Sequence, residues 1–321
     1  MSDIIISADE LSAMLRDENT TPEMLARYFE VDELRSTAFD VKMKLRPEVV
    51  VTYRPGQVEV EQFGGTIMDG ANGFMRWRRK MRYRSRIHDN PSIVRFVAEG
   101  DSWFQHPLIT ETIDHLIERH GRAICSLDAA GATLEAMMDE DEYITAIQEE
   151  GASALLLSGG GNDLMGDHFG SYLNQYTNGV PGENAARLLN AALDVDMERL
   201  FGHYKKILTR VKNETPGVKV FTHTYDYVKP RSGSKGKWLG RPMEAHGITD
   251  QRDKEAIIVE LINRFAEGVG KVCQQFPGIA FQVRSIGCVP GGQWDDEIHP
   301  TDSGFRPVAD MFQATLQAQG L

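Results

Sequence analysis

The chain has 321 residues, enough to bury a full hydrophobic core in one or two domains. Apolar residues make up 41% of it and charged residues 26%, which is typical of a soluble globular protein. The formal net charge of −12 argues against nucleic acid as a general partner, because phosphate binding needs a basic face.

The N-terminal stretch MSDIIISADELSAML is acidic and has no basic segment followed by a long apolar core, which argues against a secretory signal. No stretch of the sequence has the unbroken apolar length of a membrane span. The three cysteines form no Cys-x-x-Cys pair, so neither a zinc knuckle nor a redox motif is indicated. We therefore expect a cytoplasmic protein.

Residues 1–90 are interpreted as a small N-terminal accessory region. Ser7 followed by Glu10 is a capping box at the start of a short helix. Thr21–Pro22 predicts the start of a second helix, since proline is tolerated in the first turn. The stretch PEVVVTYRPGQVEVEQF alternates like a strand pair around a turn at Pro55–Gly56.

A basic segment, Arg76–Arg86, closes this region and holds seven basic residues and no acid. The rest of the chain has 28 basic and 47 acidic residues, or −19. We expect the segment to serve association rather than catalysis. The positive charge of the segment and the negative charge of the rest of the chain favour self-contact, either within the chain or as self-association with a second copy. The alternatives are an anionic membrane surface, an acidic partner, and a solvated helix without a partner.

From residue 91 onward, short apolar runs alternate with helical patterns. The strand candidates are residues 93–99, 123–127, 152–159, 218–224 and 279–285. Two sets of apolar residues between these strand candidates each share one face of a predicted helix. They are Ile109, Ile113, Leu116 and Ile117 in the first set, and Leu188, Leu189, Ala192 and Leu193 in the second. The alternation predicts an α/β fold with a mainly parallel five-stranded sheet covered on both faces, and ligands bind such sheets at the carboxyl ends of the strands.

Chemically useful residues follow three of these strands. Gly100–Ser102 ends the first strand candidate, Gly131 lies past the second, and Gly159–Gly161 and then Asn162 follow the third. A turn with Ser102 as a helix cap is the simpler interpretation of the first stretch. No Gly-x-x-x-x-Gly-Lys-Ser/Thr or Gly-x-Gly-x-x-Gly motif occurs, so nucleotide binding is disfavoured.

After the fifth strand candidate, His299 stands ahead of the last helical pattern. Of the nine histidines it alone has an aspartate three residues before it, Asp296. That spacing lets the carboxylate hold one imidazole nitrogen while the other faces a substrate. Asp295 is the competing acid, and the spacing favours Asp296.

These stretches resemble the four sequence blocks of the SGNH (GDSL) hydrolase superfamily, in the family's order, over residues 91–321. The blocks are Gly100-Asp101-Ser102, Gly131, Gly160-x-Asn162-Asp163 and Asp296-x-x-His299. The resemblance implies a flavodoxin-like three-layer α/β/α sandwich and a serine hydrolase without metal or cofactor. It implies Ser102 as nucleophile, His299 as base and Asp296 as orienting acid. It also implies an oxyanion hole of the Ser102 and Gly131 N–H groups and the Asn162 amide.

The substrate is left open by the sequence. Trp103 stands where the family often has a smaller aliphatic residue, and it either shapes the acyl side of the pocket or fills the core. Trp238, in a loop after the fourth strand, is a candidate cap over an acyl chain. We expect hydrolysis of a carboxylic ester, of a small molecule, lipid or glycan. The alternatives are a carbohydrate O-acetylesterase and a catalytically silent binding module of the same fold.

Overall fold

A computed structural model of the protein describes residues 4–17, 19–37, 41–52, 71–166, 168–177, 179–183 and 185–321. Its N-terminal elements are β1 (Ile4–Ser7), α1 (Ala8–Leu15), α2 (Pro22–Leu25), β2 (Phe29–Val31), β3 (Met43–Leu45) and β4 (Val49–Thr52). Both predicted helix starts are present. The Ser7 hydroxyl accepts the Glu10 N–H at 3.2 Å, and the Glu10 carboxylate accepts the Ser7 N–H at 2.9 Å. Thr21 caps α2, with Pro22 as its first residue.

The strand pair expected around Pro55–Gly56 is only partly described. Its first half is β4, which pairs in parallel with β1, while β2 and β3 form a separate antiparallel pair. The turn and the second strand fall within residues 53–70, outside the described residues. Six apolar side chains between these elements form a small core of their own: Ile6, Leu11, Leu15, Leu25, Phe29 and Met43.

The central sheet is parallel throughout and has five strands. They are β5 (Arg95–Gly100), β6 (Ala123–Ser126), β7 (Ala154–Ser158), β8 (Lys219–His223) and β9 (Ala280–Val283). Their order is β6-β5-β7-β8-β9, the flavodoxin-like order, with helices on both faces. The apolar strands are buried as predicted, and the predicted fold class is confirmed.

The remaining helices connect and cover these strands. They are α3 (Ala71–Asp89), α4 (Thr112–Glu118), α5 (Leu134–Glu140), α6 (Glu142–Glu150), α7 (Gly161–Met165), α8 (Ala185–Leu188), α9 (Ala191–Glu214), α10 (Gly240–Ala245), α11 (Gln251–Gln274) and α12 (Asp302–Ala318). Short 3-10 turns span Phe169–Tyr172 and Gly233–Lys235. Within the residues that the structure describes, no helix has the length and apolarity needed to cross a membrane.

The single helical face expected over Leu188–Leu193 is wrong. Leu188 ends α8, and Leu189 bridges to Leu173 instead of continuing the helix. Asn190 then caps α9, because its side chain accepts the Ala192 N–H at 2.9 Å. Of the other four residues predicted to share a helical face, Ile109 lies before α4, and Ile113, Leu116 and Ile117 lie within α4.

Helix α3 contains the basic segment and packs against β6. Arg78 and Arg79 are buried completely. Its arginines pair with acids of the same chain: Arg76 with Glu142, Arg79 with Glu111, Asp114 and Asp128, Arg82 with Glu118, and Arg84 with Glu150. Much of the segment's charge is therefore used within the chain. Association with a second copy or a membrane surface, and the division of the chain at residue 90, stay predictions.

Candidate active site

Ser102, His299 and Asp296 meet at the carboxyl edge of the sheet. Ser102 lies two residues past the end of β5, and the other two lie in the loop between β9 and α12. Ser102 Oγ lies 2.8 Å from His299 Nε2, and His299 Nδ1 lies 2.8 Å from Asp296 Oδ2. Ser102 and His299 have no solvent-exposed surface. Hydrogen bonds in this order would allow a serine hydroxyl to pass its proton to an imidazole that a carboxylate orients.

The loop that carries Asp296 holds its carboxylate in place. Asp296 Oδ1 accepts the N–H groups of Ile298 at 2.7 Å and His299 at 2.6 Å, which leaves Oδ2 for the imidazole. Trp294 and Pro300 close the loop through an antiparallel bridge. The neighbouring acid, Asp295, contacts His299 through its backbone, whose N–H donates to the His299 carbonyl at 2.9 Å. The geometry therefore pairs His299 with Asp296 rather than with Asp295.

The electrostatics of the site raise the pKa of His299. Burial lowers this pKa, but the charge and hydrogen bond of Asp296, with smaller contributions from Asp295 and Asp101, outweigh burial and raise it above its ordinary value. The pKa of Asp296 is lowered, because His299 and two backbone N–H groups outweigh the cost of burial. A second buried ring, His106, lies edge-on to His299 with 4.9 Å between centroids. Burial and the nearby His299 hold the pKa of His106 well below 6.5, so it stays neutral.

A buried hydrogen-bond network lies behind Ser102. Asp101 Oδ1 accepts the Trp103 N–H and the Ser158 hydroxyl, each at 3.0 Å. Ser158 Oγ lies 2.8 Å from His223 Nε2. Burial lowers the pKa of His223 to about 3, so this ring is neutral, and burial raises the pKa of Asp101 to about 6 despite its hydrogen bonds. The local sequence around Asp101 does not indicate this network with Ser158 on β7 and His223 on β8.

Tyr225 connects the turn of Ser102 to the segment of Asn162. Its hydroxyl donates to Asp101 Oδ2 at 2.6 Å and accepts the Gly161 N–H at 3.1 Å. Its backbone has a φ of +58°, in the left-handed region that a bulky residue rarely adopts. This backbone conformation, just past the end of β8, is unfavourable in free energy, and the surrounding packing and hydrogen bonds must offset that cost. Sequence reasoning missed Tyr225, because nothing in its local sequence signals the long-range contacts.

Replacing Tyr225 with phenylalanine should lower kcat by about tenfold or more, because Asp101 and the Gly161 N–H each lose a buried partner worth roughly 1–3 kcal/mol. The Asp101 loss loosens the turn that carries the nucleophile. Steady-state kinetics on a small ester will measure the change. Tyr227→Phe is the matched control, since Tyr227 OH donates to Asn263 at an exposed site 2.9 Å away. Equal kcat values in the two variants would refute this positioning role.

The three oxyanion-hole candidates lie on different segments, Ser102 and Gly131 in loops and Asn162 in the first turn of α7. The N–H groups of Ser102 and Gly131 donate to no other residue among those described. Gly131 has a φ of +90°, which glycine adopts without strain. The Asn162 side-chain amide donates one hydrogen to the Ala132 carbonyl at 2.6 Å, and its second hydrogen remains for a substrate. These donors therefore have hydrogens to offer a developing oxyanion.

The two tryptophans singled out from the sequence occupy different places. Trp103 is completely buried, and its ring packs edge-on against Tyr225 and Phe305, at 5.2 and 5.4 Å between centroids. This position favours the core-filling interpretation of Trp103. Trp238 is only partly buried and meets the His299 ring edge-on at 6.5 Å. Among the residues described, no cluster of three or more His, Cys, Asp or Glu side chains is arranged to hold a metal ion.

Neither protein-family models nor curated proteins yield a match to this chain. Solved structures do resemble it. Phospholipase A1 from Streptomyces albidoflavus NA297 is 12% identical, with 70% of this chain and 100% of that chain covered and a TM-score of 0.45. A Clostridium thermocellum family 3 carbohydrate esterase is 12% identical, with 71% and 98% covered and a TM-score of 0.44. The extracellular lipase of Streptomyces rimosus is 12% identical, with 69% and 99% covered and a TM-score of 0.42. Similarity at this level assigns no substrate.

Proposed function

We propose that the protein is a serine hydrolase that cleaves carboxylic esters through an acyl-enzyme. The observation that carries the proposal is the continuous hydrogen-bonded line from Ser102 Oγ through His299 to Asp296, with 2.8 Å at each step. A serine hydroxyl is a weak nucleophile unless a neighbouring base takes its proton, and the 2.8 Å distance to His299 Nε2 supports that role for His299. A silent binding module would not require this alignment.

Acylation begins when Ser102 Oγ attacks the ester carbonyl carbon while its proton moves to His299 Nε2. The electron pair of the carbonyl moves onto its oxygen, and the Ser102, Gly131 and Asn162 donors stabilise that oxyanion. Asp296 stabilises the imidazolium and keeps His299 in the tautomer with hydrogen on Nδ1. When the tetrahedral intermediate collapses, the bond to the alcohol oxygen breaks, and His299 gives its proton to that oxygen.

Deacylation repeats these steps with water. His299 takes a proton from the water, whose oxygen attacks the acyl carbon of the Ser102 ester. The second tetrahedral intermediate collapses, the acid leaves, and Ser102 regains its proton from His299. Purified protein tested against p-nitrophenyl esters of increasing acyl length tests this function. Saturable release of nitrophenol supports it, and no turnover of any ester would contradict it.

Replacing Asn162 with alanine should lower kcat by roughly 10²- to 10³-fold and leave KM nearly unchanged, since an oxyanion donor acts on charge that develops in the transition state. Both constants are obtained from initial rates on one p-nitrophenyl ester. Asn174→Ala is a suitable control, because the Asn174 amide donates to the Arg187 carbonyl at 2.8 Å in an exposed setting. An unchanged kcat with a raised KM would instead place Asn162 in ground-state substrate binding.

The pH dependence of kcat/KM should follow the titration of His299, which must be neutral to accept the Ser102 proton. Since Asp296 raises the pKa of His299 above 6.5, activity should already fall as the pH drops toward that value from above. Replacing Asp296 with asparagine removes the carboxylate and leaves the effect of burial, so this acidic limb should move to lower pH while the plateau drops. Initial rates from about pH 5 to 9 will measure both changes. A limb that stays in place in the variant would refute the assignment.

A carbohydrate O-acetylester is the second candidate substrate, and one observation favours it. A cavity of about 420 Å³ adjoins Asp296 and is lined mostly by polar and charged side chains, with Trp238 and Val31 as its apolar residues. An aromatic ring beside charged groups of both signs suits a hydroxyl-rich molecule better than a long acyl chain. Acetylated sugars assayed beside the p-nitrophenyl series separate the two candidates, because a preference for the longest acyl chains would exclude the sugar.

A further inference from the structure

Glu297, the residue after the orienting acid, binds four backbone N–H groups of one segment. Its side chain is completely buried. Oε1 accepts the N–H groups of Arg231 at 2.8 Å and Gly240 at 2.9 Å, and Oε2 accepts those of Trp238 at 2.7 Å and Leu239 at 3.0 Å. One carboxylate thus closes residues 231–240 into a loop. We call this set of four hydrogen bonds the Glu297 clamp.

Other contacts fasten the same segment to its surroundings. The Arg231 guanidinium donates to the carbonyls of Trp294 and Asp295, each at 3.0 Å. The buried Lys254 ammonium donates to Ser232 at 2.9 Å, next to Arg231. The closed loop leaves no space for a side chain at Gly240, where a Cβ would lie 1.6 Å from the Arg231 carbonyl oxygen. A lid would have to break these hydrogen bonds to open, so the segment is a fixed wall.

The clamp places Trp238 next to the catalytic machinery. The Trp238 N–H is one of the four clamped groups, and the Trp238 ring meets the His299 ring edge-on, with centroids 6.5 Å apart. The same ring lines the cavity beside Asp296, and the Lys237 ammonium lies over it at 5.4 Å. A substrate that reaches His299 along this side must pass the indole.

We propose that Glu297 is a positioning residue that holds residues 231–240 as a rigid wall and fixes Trp238 as the specificity-determining contact beside His299. The proposal rests on the proposed ester hydrolysis and names the element that selects its substrate. Glu297 acts through Trp238 and takes no part in proton transfer, because both of its oxygens are engaged by backbone N–H groups.

Limited proteolysis tests the clamp without reference to activity. In Glu297→Gln, one side-chain oxygen is replaced by an NH₂ group, which cannot accept from the N–H groups it faces. Cleavage by trypsin after Lys235 and Lys237 should therefore become at least about tenfold faster, because buried N–H groups of the segment lose their acceptor. Glu267→Gln, at an exposed ion pair on α11, is the matched control. Equal cleavage rates in the two variants would overturn the clamp.

Substrate selection tests the role of Trp238. Trp238→Ala keeps the backbone clamp and should fold, and it should raise the ratio of kcat/KM for a bulky ester to that for an acetyl ester by about tenfold, the effect of a contact worth ~1.4 kcal/mol. Glu297→Gln should shift the ratio in the same direction. The double variant should show no more than the larger single effect, because both changes remove one contact. Additive effects, or an unchanged ratio in Trp238→Ala, would overturn the proposal.

The two tests also separate this proposal from the proposed function. If the unchanged protein hydrolyses no ester, the proposed function fails, while the proteolysis comparison still reports on the clamp. If the esters are hydrolysed and Trp238→Ala leaves the ratio of kcat/KM values unchanged, the proposed function stands and this inference fails.

Discussion

Replacing Ser102 with alanine is expected to abolish ester hydrolysis, lowering kcat/KM by roughly 10⁴- to 10⁶-fold. The variant keeps His299 and Asp296 in place but has no oxygen to attack the carbonyl, so only unaided attack by water remains. The folded state should change little, because the loss is a single hydroxyl group. Initial rates on p-nitrophenyl acetate, with thermal unfolding measured in parallel, test both statements.

Ser92→Ala is the control for this experiment, since the Ser92 hydroxyl is exposed and donates only locally, to Asn90 at 2.8 Å. It should retain full activity. His299→Ala should lose nearly all turnover without unfolding, because the base is then absent. Full activity in Ser102→Ala would end the serine-hydrolase account, whatever the other variants show.

Replacing Arg79 with methionine is expected to produce the largest loss of stability. The Arg79 guanidinium has no exposed surface and ion-pairs with Glu111, Asp114 and Asp128. It also donates to the Phe104 carbonyl at 2.6 Å, two residues past the nucleophile. Removing this cation leaves buried carboxylates uncompensated, which costs roughly 3–5 kcal/mol. Urea unfolding followed by circular dichroism will measure the loss.

Arg82→Met is the control on the same helix. Arg82 pairs with Glu118, whose side chain is half exposed, and such pairs contribute only about 0–1 kcal/mol. Equal losses in the two variants would show that the buried cluster adds nothing beyond a surface pair. Because Arg79 holds the Phe104 carbonyl, charge reversal at Arg79 should reduce turnover as well as loosen the accessory region.

The central sheet could be predicted from sequence because its strands are short, apolar and buried on both faces. Parallel strands end at a common edge, so the sequence could predict that Ser102 and His299 lie together. The error at Leu188–Leu193 has a local cause. The spacing of apolar residues does not show that one helix ends at Leu188 and that Asn190 caps the next.

The supporting contacts of the site could not be predicted, because each depends on segments far apart in the chain. Tyr225 reaches Asp101 across the sheet, and a tyrosine in the sequence gives no indication of a left-handed backbone conformation. In the sequence Glu297 is one of three consecutive acidic residues, and nothing local distinguishes it. The backbone N–H groups that it binds lie about 60 residues earlier. Arg79 belongs to a basic run in the sequence, whereas in the fold it pairs with Glu111, Asp114 and Asp128, which are far from it along the chain.

The most direct test of the account is to treat the protein with a fluorophosphonate and locate the adduct by peptide mass spectrometry. The phosphorus is attacked by an activated serine, and the fluoride leaves, so the reagent reports a nucleophile with a working base. The account predicts one adduct, on Ser102, formed at the rate at which activity is lost and absent from His299→Ala. An adduct on another residue, or lost activity with Ser102 unmodified, would contradict it.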